Sequence, residues 1–304
     1  MAPKWLVYAS ISMLIWAIWS LVSPSASRDL SGSMIQILSS VGLIPCALVL
    51  LFSKNLKNTT HLWKGLTLAL ATGVTAGLGN IMLYNALSTG PVSLIFPITS
   101  MAPLVPVLAA PLLFRERIRG IQALGIGVAL IAIVLLNTVP SGATMPAFSF
   151  SATWKIYTLL ALFIFGITFL TQKGATYFIS DELSTVAYTV GFLLLDVVLL
   201  FTGSGLTWNI PARAGWISIF IGVLMGLGSL TLFAAYRHGK ASIVTPFSQL
   251  FPIITVLCAV PLYHEPIDML RGMGIVLALA AGVILSLEPA DAGTAPAALE
   301  GERV

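Results

Sequence analysis

The chain has 304 residues, of which 58% are hydrophobic and 9% charged, with a formal net charge of +4. Ordinary soluble domains carry roughly 25% charged residues, and a water-soluble fold of this composition would expose apolar patches that aggregate. The bases fall singly or in small groups between apolar runs, which excludes a nucleic-acid tract and reads as a set of membrane-topology signals.

A helix of about 20 apolar residues crosses the hydrocarbon core of a bilayer. The first such run covers 5–24 and contains Trp16 and Trp19. It exceeds the apolar region of a signal peptide, roughly 7–15 residues, and is expected to remain as a membrane helix. Spans near 34–53, 65–87, 92–114 and 120–138 follow. A stretch rich in Pro, Ser, Gly, Ala and Thr at 139–152 is expected to link two halves. Five more spans near 154–173, 184–203, 215–236, 242–262 and 271–288 complete an all-α membrane protein of ten transmembrane helices. The polar tail 289–304 is expected to be disordered and cytoplasmic. Cys46 and Cys258 lie within apolar runs and read as small buried hydrophobes, with no disulfide or redox signal.

With the N-terminus inside, the inner loops carry Lys4, Lys54, Lys57, Lys64, Arg115, Arg117, Arg119, Lys173, Arg237 and Lys240. The outer side carries Arg28, Lys155, Arg213 and Arg271. That asymmetry follows the positive-inside rule and places both termini in the cytoplasm. The Arg115–Arg119 cluster reads as a topology determinant, with a lipid or substrate contact as the other reading.

An internal repeat runs through the chain at a fixed offset of 149 residues. It pairs Trp5 with Trp154, Gly42 with Gly191, Gly73 with Gly222, Gly77 with Gly226, Ser93 with Ser242, Pro97 with Pro246, Pro103 with Pro252 and Glu116 with Glu265. Low complexity would align apolar letters but not rare Pro, Trp and Glu positions. Residues 1–138 and 153–288 are therefore expected to be two domains of five spans each. Five is odd, so the second copy enters the bilayer from the opposite side, giving inverted repeats.

The run Ala86, Gly90-Pro91-Val92-Ser93, Pro97, Pro103 and Phe114-Arg115-Glu116-Arg117, with its second copy at Ala235, Gly239 to Ser242, Pro246, Pro252 and His264-Glu265, resembles the EamA-type domain. Trp16-Ala17-Ile18-Trp19 stands where relatives often have Trp-Gly, and Phe165-Gly166 stands there in the second copy. The resemblance covers about residues 5–288 and implies a ten-helix member of the drug/metabolite transporter superfamily. Such relatives export amino acids and other metabolites, or carry sugars, nucleotides and vitamins.

Several residues are candidates for the transport pathway. On helix 3 a stripe of small residues continues from Gly77 to Asn80 and Tyr84, which must face protein or a cavity. Pro97, Pro103, Pro246 and Pro252 remove backbone donors, and freed carbonyls are tolerated in lipid only against protein or a wet cavity. Ser100 and Gln249 are the polar side chains nearest those bends. Trp16, Trp19 and Ser20 on helix 1 and Phe165, Phe169 and Gln172 on helix 6 form two further stripes. For the tryptophans, an interfacial belt and a substrate wall are both open. Asp196 is the acid inside a span and reads either as a proton-coupling group or as a structural acid. Lys173 could pair with a substrate carboxylate or snorkel to the interface.

The function expected from these readings is secondary transport by alternating access. The cargo would be a small neutral or zwitterionic metabolite, amino-acid-like and exported, because no cation lies within a span to hold a polyanion. A carrier of sugars, nucleosides or nucleotide-linked solutes is the alternative within transport, and a lipid flippase or channel is the alternative from another class. No enzyme motif, metal-ligand cluster or phosphate-cradling loop is present, so neither catalysis nor a cofactor is expected. The expected partners are a small solute, membrane lipid and a proton as candidate coupling ion, with the chain a monomer or homodimer in a bacterial inner membrane.

Overall fold

The computed structural model describes residues 3–90, 95, 98–114, 118–136, 153–203, 205, 206, 208–251, 253, 254 and 269–286. Pro97, Pro252, Cys258, the linker at 139–152 and the tail at 289–304 lie outside the described residues. Among the described residues the fold is all-helical. Its helices are α1 (Lys4–Ser27), α2 (Gly32–Leu50), α3 (Leu62–Thr89), α4 (Leu104–Leu113), α5 (Gly120–Leu136), α6 (Thr153–Ala175), α7 (Asp181–Thr202), α8 (Ala212–His238), α9 (Ala241–Ser248) and α10 (Met269–Ser286). Six of them, α1, α2, α3, α6, α7 and α8, are long and apolar enough to cross a membrane.

Equivalent residues start equivalent helices. Ser31 caps α2 by accepting from Met34 N at 3.2 Å, and Ser180 caps α7 by accepting from Leu183 N at 3.1 Å. Each hydroxyl satisfies one of the orphan donors of a first turn. Asp181 and Glu182 add negative charge to the first turn of α7, where the helix dipole favours it.

The two halves interlock. Helix α3 packs on α6 and α7, while its repeat counterpart α8 packs on α1 and α2. Helices α5 and α10 pair with each other, as do α4 and α9. These crossings depend on glycine. A Cβ added at Gly73 would overlap the Tyr188 carbonyl, and one at Gly222 would overlap the carbonyl of Ser39, the repeat mate of Tyr188. Small residues of this kind let backbones approach closely where lipid supplies no hydrophobic drive between helices. Gly90 against Trp154 and Gly239 against Trp5 repeat the same exchange nearer the helix ends.

The outer surface is apolar, with Leu112, Phe163, Phe201 and Val276 largely exposed. Trp63, Trp208 and Trp216 are each more than 70% exposed and lie near helix ends, as in an interfacial belt. Trp19 is only 6% exposed, so the belt reading does not hold for it; its ring points inward, edge-on to Trp16 at 5.5 Å.

The loops rich in bases gather at one end of the bundle. There Asn55 Nδ2 donates to Glu182 Oε1 at 2.8 Å, and Arg237 Nε donates to Asp181 Oδ1 at 2.6 Å. Lys173 neither snorkels nor faces a solute. It is 1% exposed, and its Nζ donates to Tyr236 O at 2.7 Å and Gly239 O at 2.8 Å. The ammonium thus closes the C-terminal end of α8, where carbonyls lack helical donors. Lys173→Met is expected to lower stability by about 1.5–3 kcal/mol, the range for a hydrogen bond to a charged group. Thermal unfolding in detergent reads this loss, and an unchanged melting temperature would refute the capping role.

Candidate functional site

Seven segments converge on a partly open cavity. Trp16 and Trp19 come from α1, Ala76, Asn80 and Leu83 from α3, and Thr99 and Ser100 from the turn before α4. Phe165, Thr168, Phe169 and Gln172 come from α6, Tyr188 from α7, Ser229 and Leu232 from α8, and Gln249 and Phe251 from the turn after α9. None of these lining residues is Asp, Glu, Lys, Arg or His. The cavity offers about 80 Å³ to the centres of water-sized groups. A single water needs roughly 10–15 Å³ by that measure, so the space suits a compact solute.

The lining is built from repeat mates. The 149-residue offset relates Trp16 to Phe165, Trp19 to Thr168, Asn80 to Ser229, Leu83 to Leu232 and Ser100 to Gln249, and all ten line the cavity. A cavity made of mate pairs sits where the two copies meet.

The sequence suggests continuous, kinked helices over 92–114 and 242–262; the described residues show breaks. Helix α4 starts only at Leu104, after a turn at Ser100–Pro103, and α9 stops at Ser248, before a turn at Gln249–Phe251. Pro103 caps the start of α4, and Pro246 lies buried inside α9. The physical cause is the absent N–H of proline, which interrupts the helical ladder at that register.

The polar lining divides into held and open groups. Gln172 Nε2 donates to Ser229 O at 3.3 Å, and Thr168 Oγ1 donates to Thr75 Oγ1 at 2.9 Å. The side chains of Asn80, Ser100 and Gln249 make no hydrogen bond to the described residues, and all three residues line the cavity. Asn80 and Ser100 are nevertheless each only 4% exposed. Buried polar groups are ordinarily paired, so these mark a surface that a ligand completes.

Of the ten substrate-contact candidates, Trp16, Trp19, Asn80, Ser100, Phe165, Phe169, Gln172 and Gln249 line the cavity. Ser20 and Tyr84 do not. The Ser20 hydroxyl turns back to Ala17 O at 2.8 Å. Tyr84 is 1% exposed, packed beside Trp19 and Ser23, with no well-formed hydrogen bond from its hydroxyl. Tyr84 lies four residues beyond Asn80, whereas Leu83, its immediate neighbour, still lines the cavity, so the boundary between cavity and core falls between these two side chains.

Asp196 also lies outside the cavity lining. It is 5% exposed at the α2–α7 contact, where Gln36 Nε2 donates to its Oδ1 at 3.4 Å. The Gln36 Oε1 has no partner, and Ser40 lies one helical turn away, its hydroxyl donating to Gln36 O at 3.2 Å. Gln36 and Ser40 carry no motif, so only the fold brings them to Asp196. Ser229 and Thr168, also missed from the sequence, are the mates of Asn80 and Trp19; applying the offset to each candidate finds them. Tyr188 has no such signal, since its mate Ser39 lies elsewhere.

Comparison with known proteins places this geometry. Residues 3–138 and 152–287 each match the model of the EamA-like transporter family. An uncharacterized transporter of Helicobacter pylori is 22% identical over 223 residues, covering 70% of this chain and 71% of the relative. An uncharacterized protein of Methanocaldococcus jannaschii is 35% identical over 97 residues, covering 32% of this chain and 69% of the relative. A solved crystal structure superposes with a TM-score of 0.73 at 14% identity, covering 93% of this chain and 96% of its own; it shares the fold.

Proposed function

The chain belongs to the EamA-like transporter family, and from that premise we propose that it moves a small neutral or zwitterionic, amino-acid-like metabolite by alternating access. The observation that carries this reading is the uncharged cavity assembled from repeat mates. A site at the meeting of two similar halves can be exposed to either side by exchanging their conformations. An amphipathic solute matches aromatic walls with a few convergent polar groups. The lack of cations among the described lining residues and the small volume argue against nucleotide-linked cargo.

We read the ten helices as ten spans in two inverted repeats. Support comes from the ends of the mates: Tyr8, near the start of α1, stacks on His238 at the end of α8, and Lys173, in the last turn of α6, donates to Tyr236 O and Gly239 O at that same end. Helices α1 and α6 therefore run in opposite senses. The positive-inside rule then puts that end, and both termini, in the cytoplasm, with a bacterial inner membrane as the location and export as the direction.

A ligand-dependent thermal-shift screen over amino acids, sugars and nucleosides tests the cargo class, since a ligand that binds the folded state raises the melting temperature. A response confined to sugars or nucleosides would replace the amino-acid reading. Asp196 is assigned to proton coupling, supported by its burial beside Gln36 and Ser40, as acids within the bilayer are costly to keep. Asp196→Asn is expected to abolish the dependence of flux on an imposed pH gradient while the solute still binds. Retained pH-gradient dependence would remove Asp196 from the coupling path.

A further inference from the structure

We propose that two backbone carbonyls, those of Ser100 and Gln249, receive the protonated amine of the solute. The inference rests on the cavity being the transport site, and it names the chemical group that the site selects.

The turn before α4 runs in a 3₁₀ register. Met101 N donates to Ile98 O at 3.1 Å, Ala102 N to Thr99 O at 3.0 Å, Leu104 N to Met101 O at 2.9 Å and Val105 N to Ala102 O at 3.1 Å. One bond is missing from this series, the one that Ser100 O would accept from residue 103. Residue 103 is proline and has no N–H. The second copy repeats the arrangement: Leu250 N donates to Phe247 O at 3.1 Å, Ile253 N to Leu250 O at 3.0 Å and Ile254 N to Phe251 O at 3.0 Å. No bond to Gln249 O stands in that series, and its donor there would be residue 252, also proline.

Among the described residues neither carbonyl gains a replacement donor, since Ser100 and Gln249 take part in no other hydrogen bond as acceptors. Both residues line the cavity and are repeat mates. A carbonyl removed from water without a donor is costly, and inside a bilayer such backbone persists only where a cavity or ligand satisfies it. Pro103 therefore does more than interrupt a helix, since it leaves Ser100 O without its donor beside the cavity, and the sequence leaves Gln249 O without a donor at position 252 in the same way.

The unpartnered side chains of Asn80, Ser100 and Gln249 add further acceptor oxygens, and no cation among the described residues lines the cavity. What complements several acceptors is a compact group with several donors and a positive charge. A primary ammonium has three N–H donors, and charge-assisted hydrogen bonds are the stronger kind. The rings of Trp16, Trp19, Phe165 and Phe169 also attract a cation. A solute bearing only a carboxylate or phosphate finds no opposite charge here. The site thus favours primary amines and amino acids over the corresponding acids.

The test is a thermal-shift titration of the purified full-length protein with leucine, 3-methylbutylamine, 4-methylpentanoate and N,N,N-trimethyl-3-methylbutylammonium. The first two are expected to bind at least tenfold more tightly than 4-methylpentanoate. The trimethyl compound keeps the charge but has no N–H, and is expected to bind at least tenfold more weakly than the primary amine. Pro103→Ala returns the missing donor at a φ of −56° that alanine also adopts, so Ser100 O is closed within the existing turn; Pro252→Ala restores an N–H to residue 252, three residues beyond Gln249. Both variants are expected to reduce the preference for the amine over the acid at least tenfold.

Equal binding of the trimethyl compound would assign the cation to the aromatic walls and overturn the carbonyl assignment. Equal binding of 4-methylpentanoate would overturn the amine preference while leaving the cavity as the transport site. Loss of amine binding when potassium replaces sodium would give the oxygens to a sodium ion and overturn the proposal. Failure of all four compounds to shift the wild type would overturn the amino-acid reading together with this one.

Discussion

Gly222→Val is expected to remove most of the folded protein from the membrane. Its added side chain would drive into the Ser39 carbonyl and the backbone around it, and backbone cannot swing aside as a flexible side chain can. Overpacking costs roughly 1–3 kcal/mol in ordinary cores and more where the obstacle is rigid. In lipid the α2–α8 crossing has no alternative hydrophobic drive to hold it at a larger separation. Gly73→Val meets the mate of that obstacle, the Tyr188 carbonyl, and is expected to behave alike. Gly127→Ala is the control, because nothing lies within 4 Å of a Cβ placed there. Size-exclusion recovery and melting temperature read the result. Full recovery of monodisperse Gly222→Val would mean that the helices are not as close as described.

The second large effect is expected at the cavity. Ser229→Trp places an indole in a space of about 80 Å³, and transport is expected to fall more than tenfold while the protein still purifies as a single species. Ser100→Phe approaches the same space from the opposite half and is expected to give the same loss. Activity surviving both substitutions would place the pathway elsewhere in the bundle. Ser12→Ala is a neutral comparison, since Ser12 is buried against Gly228 O at 3.3 Å and lies outside the cavity lining.

The all-helical membrane fold was legible because lipid-facing helices need long uncharged runs, and the repeat was legible because Pro, Trp and Gly rarely align by chance. Eight of the ten proposed contact residues reach one cavity for the same reason: stripes beside small residues and prolines must face protein. The errors have physical causes as well. Tyr84 shares a helical stripe with Asn80, but the cavity is met by its neighbour Leu83 while Tyr84 itself packs into the core. Ser20 satisfies its own hydroxyl on the preceding turn, a choice open to any serine in a helix. Lys173 looks like a surface base in the sequence, and only the return of α8 past α6 shows that it closes a helix end. The partners of Asp196 come from α2, 160 residues away in the chain for Gln36, and no local pattern announces them.

The most direct test of the account is counterflow in proteoliposomes, using the amino acid that gives the largest thermal shift. Vesicles loaded with unlabelled solute are diluted into a trace of the labelled form. Alternating access predicts that labelled solute enters faster than into empty vesicles and transiently overshoots its equilibrium level, and that Ser229→Trp abolishes the overshoot. Labelled solute that equilibrates at one rate, with or without solute inside, would contradict an alternating-access carrier and point to a channel.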